Sequence, residues 1–248
     1  MELYDDIIDR CNIMLQPFAC KYCETVRSKG EGTGTGTTLW ERDGEQRILF
    51  KKDMAYELGG GNLPAYSGVA FTSDDAVKDE IAVYGPDLYQ LKDDNPYARL
   101  TILRVDDSAW TDNEQAYRVL RRLDYTRYHV YPKGFLMRIS AAAHREPVRI
   151  GKEEIRAGLD FAKVGGMFLD AYHEHPEVLG VRIVFITDPD FPYEEFGETV
   201  RKMDSVTESL NEIFNHLVMD CSACRLKPVC DEVEGLRELH FSNYSKYS

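Results

Sequence analysis

Four residues near the C-terminus combine types and spacing that could bind a metal. Cys221 and Cys224 form a C-x-x-C pair, Cys230 follows, and nine residues separate Cys230 from His240. The two thiolates of a C-x-x-C pair can reach one metal atom, and a later cysteine and histidine could complete a set of four ligands. The sequence therefore predicts a metal or iron–sulfur centre in its C-terminal part.

The residue types alone leave the identity of this centre open. An iron–sulfur cluster would transfer electrons or sense redox state. A zinc ion on the same ligands would have a closed tetrahedral shell and would pin the C-terminal segment to the rest of the protein. In a third interpretation the cysteines are reduced thiols that bind no metal.

The N-terminal part contains three more cysteines, of which Cys20 and Cys23 form a second C-x-x-C pair. This pair could join Cys221 and Cys224 in one four-thiolate centre built from both ends of the chain. It could instead bind a second metal or cluster with Cys11 as third ligand. The alternative is that Cys11 is a core residue on a helix face and that Cys20 and Cys23 bind nothing.

The remaining histidines give weaker indications. His144 follows a predicted strand and is expected in a solvent-facing loop, while His173 and His175 lie at a predicted helix end, where a protonated imidazole interacts favourably with the helix dipole. No spacing indicates a Ser/His/Asp or Cys/His catalytic triad.

The charge of the chain excludes some classes of partner. With 43 acidic and 30 basic side chains, the formal net charge is -13, which repels nucleic-acid phosphates and anionic lipid. We expect neither nucleic acid nor membrane as partner. The nearby arginines Arg118, Arg121, Arg122 and Arg127 are expected on a helix surface, paired with neighbouring acids.

The sequence also indicates the cellular compartment of the protein. It has no apolar run long enough to cross a bilayer, and its first residues, MELYDDIIDR, lack a signal-peptide pattern. We expect a cytoplasmic protein. In a reducing compartment, six cysteines favour metal ligands or thiols over a disulfide framework.

The elements that must position these residues alternate between strands and helices. Strands are predicted over 53–58, 80–84, 99–105, 134–139 and 181–187. Helices are predicted over 112–127, 152–174 and 193–218, and Leu3, Ile7, Cys11 and Met14 recur at helical spacing. This alternation predicts an α/β fold, a mixed sheet flanked by helices.

We expect three parts in the chain. Residues 1–39 form a small helical, cysteine-containing extension and a linker rich in glycine and threonine. Residues 40–218 form the α/β domain, and residues 219–248 form a cysteine-rich, metal-binding tail.

Four stretches carry a resemblance to a known family. They are Asp53–Gly61 (DMAYELGGG), Ile81–Leu88 (IAVYGPDL), Val148–Gly158 (VRIGKEEIRAG) and Val181–Asp188 (VRIVFITD). In order and spacing they resemble the middle domain of acetyl-CoA synthase, the nickel-containing β subunit of the CO dehydrogenase/acetyl-CoA synthase complex of anaerobes. The resemblance covers about residues 45–240.

The resemblance implies a set of cofactor ligands. The middle domain of that family is followed by four cysteines that hold a [4Fe–4S] cluster. Cys221 and Cys224 match the first two, Cys230 matches the third after a shortened loop, and His240 stands where the fourth would be. A histidine can ligate a cluster iron, as in Rieske centres, and is also an ordinary zinc ligand.

The resemblance also implies a role and its limits. It covers neither the nickel-binding C-x-C motif nor the large N-terminal domain of the family, and no C-x-C occurs in the sequence. We therefore expect an accessory protein without acetyl-CoA synthase activity of its own. It would dock to a corrinoid protein, a methyltransferase or a CO dehydrogenase-like subunit of anaerobic one-carbon metabolism. The alternatives are an enzyme or redox protein that uses an incompletely ligated iron–sulfur cluster, and a zinc-stapled structural module.

Overall fold

A computed structural model describes residues 3–25, 40–41, 48–138, 145–214 and 227–233. Its helices are α1 (Asp5–Leu15), α2 (Asn113–Thr126), α3 (Lys152–Arg156), α4 (Phe161–Tyr172), α5 (Tyr193–Phe214) and α6 (Lys227–Glu232). Its strands are β1 (Cys20–Thr25), β2 (Met54–Leu58), β3 (Ala65–Thr72), β4 (Glu80–Tyr84), β5 (Tyr97–Val105), β6 (Phe135–Met137), β7 (Val148–Gly151) and β8 (Val178–Ile186). None of the helices within these residues combines the length and the apolar composition of a membrane-spanning segment.

The main sheet has five strands in the order β1-β4-β8-β5-β3. Its β4–β8 and β5–β3 pairs are parallel, and its β1–β4 and β8–β5 pairs are antiparallel. A second sheet, β2-β7-β6, is antiparallel throughout. The predicted mixed α/β fold with a sheet flanked by helices is confirmed.

Helices cover both faces of the main sheet. A Cβ on Gly68 of β3 would lie 2.9 Å from Met203 Sδ of α5, and a Cβ on Gly165 of α4 would lie 2.8 Å from Ile81 Cγ2 of β4. The ladder places Gly68 level with Leu100, Val184 and Ala82, so Ile81 projects from the opposite face. The two helices therefore pack on opposite faces, and glycine at each contact allows the close approach.

The N-terminal segment is part of the same structure. Tyr4, Ile7 and Cys11 of the first helical turns belong to the main hydrophobic core, and the predicted amphipathic helix is confirmed as α1. Strand β1, which was not predicted, pairs with β4 at the edge of the main sheet. The first cysteine pair therefore lies on a strand of the main sheet.

The prediction of a single helix over 152–174 is wrong in one respect, because the structure has two helices there, α3 and α4. Gly158 has a φ of +91°, a left-handed conformation that ends a helix and that favours glycine. Asp160 then caps the next helix, since its side chain accepts a hydrogen bond of 2.8 Å from the Lys163 amide.

Candidate functional site

Cys20 and Cys23 lie on the same side of strand β1. Cys20 pairs with Tyr84 and Cys23 with Ala82, and the register shifts between Cys20 and Tyr22. Lys21 and Tyr22 of β1 therefore lie opposite the single residue Val83 of β4, which is a β-bulge. In a regular strand, residues three apart project from opposite faces. Because of the extra residue in the bulge, Cys20 and Cys23 project from the same face of β1, and their thiols lie close together.

A carboxylate, that of Glu80, lies beside this pair of thiols. Glu80 lies on the same face of β4 as Ala82, and the Cys23 thiol donates a 3.3 Å hydrogen bond to Glu80 Oε1. The Cys20 thiol also interacts with Cys23. Arg182 Nε lies 3.4 Å from the same carboxylate oxygen.

These neighbours disfavour the thiolate of Cys23. Partial desolvation of the sulfur, then the hydrogen bond and charge of Glu80, and then Cys20 raise the pKa of Cys23 to about 11. At neutral pH the group is a thiol, and a metal ion would have to displace its proton.

Cys11 has a different environment. It is fully buried on α1, within the hydrophobic core, and burial raises the pKa of its thiol to about 12. The face assignment made from helical spacing is thus confirmed. A part for Cys11 in metal binding stays a prediction.

The C-terminal ligand set falls largely outside the described residues. Cys221, Cys224 and His240 lie outside them, and Cys230 belongs to α6 without a described side chain. Helix α6 packs against α5, and its end is anchored by Val233, which is buried, and by the partly buried Val229. The chain on both sides of Cys221 and Cys224 is therefore attached to the core, by α5 and by α6.

Over the parts of the chain that the structure describes, no group of three or more His, Cys, Asp or Glu side chains is arranged to hold a metal ion. The cysteine-rich metal-binding tail is not supported by these residues. The iron–sulfur cluster and the zinc alternative stay predictions.

The histidines weighed from the sequence have structural partners where they are described. His144 lies outside the described residues. His173 Nε2 lies 2.8 Å from Asp79 Oδ1, and this contact raises the pKa of the imidazole against the opposing effect of burial. His175 Nε2 lies 2.8 Å from Thr126 Oγ1, and burial lowers the pKa of that imidazole.

A buried ionic cluster is the largest feature that sequence reasoning missed. Arg127, expected on a helix surface, is buried after the end of α2, and its guanidinium lies 2.7 Å from Glu146 and 2.8 Å from Asp204. It also donates to the backbone oxygen of Ser67. Burial opposes the charge of Arg127, but Glu146 and Asp204 outweigh burial and raise its pKa. Arg127 is therefore a permanent cation that ties α5 to edge strand β3.

A second buried cation extends this cluster. Arg99 of β5 donates 3.0 Å to Ser67 Oγ and 3.2 Å to the Arg127 carbonyl, and its guanidinium carbon lies 4.2 Å from the Phe168 ring centroid. Its Nη2 is 3.9 Å from Glu146. The signal in the sequence was an arginine at the start of the predicted strand, within the stretch YARLTILRV, which is mostly apolar. These contacts join β5 to β3 and α4, so the cluster is a structural joint between the sheet and its helices.

Two other arginines of α2, Arg118 and Arg122, pair with acids as the sequence predicts. Arg118 pairs with Glu114 at 3.3 Å, and Arg122 pairs with Glu177 at 2.6 Å. Both pairs lie at the surface, where ion pairs contribute little to stability.

Comparison with known proteins connects this fold to a family. No curated protein matches the chain. The family model of the CO dehydrogenase/acetyl-CoA synthase complex beta subunit matches residues 42–191. That range runs from before β2 to the residues just before α5, and the four stretches that carried the resemblance fall within it. All six cysteines lie outside it. The chain belongs to the family of the CO dehydrogenase/acetyl-CoA synthase complex beta subunit.

Proposed function

We propose that this protein is an accessory member of its family that carries an iron–sulfur cluster and docks to a protein partner. The partner would be a corrinoid protein, a methyltransferase or a CO dehydrogenase-like subunit. The family match over residues 42–191 supports the link to this complex.

The ligands we propose for the cluster are Cys221, Cys224, Cys230 and His240. Three soft thiolates and one imidazole suit an iron–sulfur cluster, which would supply electron transfer when bound. The single observation that carries the proposal is the anchoring of α6. Val233, the residue directly after α6, is buried in the core, and α6 packs against α5, so the helix that contains Cys230 is held at a fixed place. A pre-positioned ligand lowers the entropy that a metal site must lose on assembly.

Acetyl-CoA synthesis by this polypeptide alone is not part of the proposal. The family holds nickel through a C-x-C motif, and the sequence contains no C-x-C. A partner that provides a second metal centre would make the protein part of a larger reaction.

The net charge of -13 suggests how a partner is selected. A strongly acidic surface associates faster with a basic one, and this attraction weakens as salt screens it. We therefore expect the partner to present a basic face.

Binding measurements between purified proteins test the proposal. The full chain, purified without oxygen, is titrated with a corrinoid protein, a corrinoid methyltransferase and a CO dehydrogenase subunit at low and high salt. One of them should bind, more weakly at high salt, and Cys224→Ser should reduce that binding if the centre takes part. Absence of binding to all three at low salt would contradict the docking role. A folded protein that binds zinc in place of iron would favour the zinc-stapled module.

A further inference from the structure

We propose that Cys20 and Cys23 are a redox-active dithiol that closes to an intramolecular disulfide by exchange with a low-molecular-weight disulfide. Cys20 and Cys23 are not among the ligands proposed for the cluster, so this inference goes beyond the proposed function. The observation that carries it is the bulge in strand β1.

The bulge shortens the distance between the Cα atoms of Cys20 and Cys23. Three residues of regular strand span about 10 Å, which is too far for a disulfide. Here the partners of Cys20 and Cys23 are Tyr84 and Ala82, two positions apart on β4. Two residues of strand span about 6.7 Å, and disulfides join Cα atoms that are about 4.4–6.8 Å apart. The bulge therefore brings the pair into bonding range.

The two thiols also have the orientation and the solvent exposure that this reaction needs. Both side chains project from the same face, and the Cys20 thiol already interacts with that of Cys23. Both residues are exposed, so a small disulfide can reach them. Strand β1 is at the edge of the sheet and is bonded to β4 alone among the strands that the structure describes. The small contraction that a disulfide requires falls on the unmatched residue Lys21 and leaves the other strands in place.

The chemistry balances with a disulfide R–S–S–R as the oxidant. The thiolate of one cysteine attacks a sulfur of R–S–S–R, forms a mixed disulfide and releases R–S⁻. The thiolate of the other cysteine then attacks the cysteine sulfur of the mixed disulfide and releases the second R–S⁻. The two protons from the cysteines end on the two R–SH products. The dithiol is oxidised by two electrons, and R–S–S–R is reduced by two.

Cys11 provides an internal contrast. It is fully buried in the core, whereas Cys20 and Cys23 are exposed. We therefore expect Cys11 to remain a thiol when the pair is oxidised. Because a disulfide has no thiolate, oxidation would also withdraw Cys20 and Cys23 from any metal.

A feature of the sequence makes the test direct. Trypsin cleaves after Arg10, Lys21 and Arg27, so Cys11 and Cys20 share the peptide 11–21, and Cys23 lies in the peptide 22–27. A Cys20–Cys23 disulfide therefore joins two separate peptides. The full-length protein is incubated with glutathione disulfide, its remaining thiols are alkylated, and the tryptic digest is analysed by mass spectrometry with and without reduction.

We expect peptides 11–21 and 22–27 to be joined, with Cys11 alkylated, and to separate on reduction. Cys20→Ser should lose the joined species completely, and Cys11→Ala should retain it. The wild type and both variants should be compared by circular dichroism to show that the fold is kept. Stable glutathione adducts on Cys20 or Cys23 without cross-linking, or cross-linking of either residue to another cysteine, would overturn the proposal, as would unmodified thiols at both positions.

Discussion

Arg127 and Glu146 form a buried ion pair of 2.7 Å beside the edge strand β3. The same carboxylate oxygen accepts a 3.1 Å hydrogen bond from the Tyr128 hydroxyl, and the Glu146 amide donates 2.9 Å to the backbone oxygen of Ala65. Since Arg127 also donates to the Ser67 carbonyl, the pair satisfies backbone groups that an edge strand would leave unpaired. Arg127 and Glu146 thereby cover the part of the β3 edge that contains the carbonyl groups of Ala65 and Ser67.

Removing this cation should be costly. Arg127→Ala leaves the buried Glu146 carboxylate without its ion-pair partner, and breaking a buried ion pair in this way costs about 3–5 kcal/mol of unfolding free energy. Arg118→Ala breaks the exposed pair with Glu114 and should cost less than about 1 kcal/mol. Urea denaturation of both variants measures the difference. Equal, small losses would show that the cluster does not stabilise the fold.

Two glycines with positive φ should differ in their tolerance of alanine. Gly85 has a φ of +101°, and a Cβ there would lie 2.3 Å from the Asp188 backbone nitrogen. Gly85→Ala combines backbone strain with a clash against main chain and should cost at least about 3 kcal/mol. Gly61 has a φ of +59° with nothing within 4 Å of its Cβ position, so Gly61→Ala should cost about 1–2 kcal/mol from conformation alone. Thermal unfolding of both variants tests the ranking, and the reverse order would contradict the fold at the β4 end.

His173 and His175 should give opposite pH dependences of stability. Because Asp79 raises the pKa of His173, the folded state favours its protonated form. The stabilisation by His173 is therefore fully present below the unfolded pKa of about 6.5 and is lost as the pH rises through the higher folded pKa. Burial lowers the pKa of His175, so protonation of that residue destabilises the fold as the pH falls through about 6.5.

The two histidines serve as controls for each other. The excess unfolding free energy of the wild type over His173→Gln should be larger near pH 5.5 than near pH 8.5, both values being about one to two units from the ordinary histidine pKa. The excess over His175→Gln should change with pH in the opposite direction. Urea denaturation at several pH values measures both differences. Parallel slopes would show that the Asp79 contact does not favour the histidine cation.

The anchoring of α6 should matter for metal content. Val233, which directly follows α6, is buried, whereas Pro228 within α6 is exposed. Val233→Asp places a carboxylate in the apolar contact, which should detach α6 and Cys230 from the core and lower the metal bound by the protein. Pro228→Ala should leave metal content unchanged. Both are measured by elemental analysis of anaerobically prepared protein, with circular dichroism to confirm the α/β core. Full metal content in a folded Val233→Asp variant would mean that α6 docking does not position a ligand.

The elements with clear periodicity or composition could be predicted from the sequence. Strands β4 and β8, with the runs EIAVY and VLGVRIVFI, and the capped helix α2 lie close to their predicted bounds. Strand β3, AYSGVAFT, was missed because it is buried along its whole length and therefore shows no alternation of apolar and polar residues. Its Gly68 and Ser67 are needed for packing against α5 and for contact with Arg99.

The candidate site was predictable in residue type but not in arrangement. The spacing of Cys20 and Cys23 identifies a thiol pair, yet only the pairing of β1 with β4 shows the bulge that aligns them with Glu80. Arg127 follows a helix rich in surface arginines, and nothing local distinguishes it from Arg118. Its burial depends on Glu146 and Asp204, which are distant in sequence.

Metal and sulfide analysis of the full-length protein, purified and reconstituted without oxygen, tests the proposed iron–sulfur centre most directly. The account predicts iron and acid-labile sulfide in about equal amounts, both lost in Cys224→Ser while the α/β core stays folded. A folded wild-type protein that takes up zinc alone, or no metal at all, would contradict it.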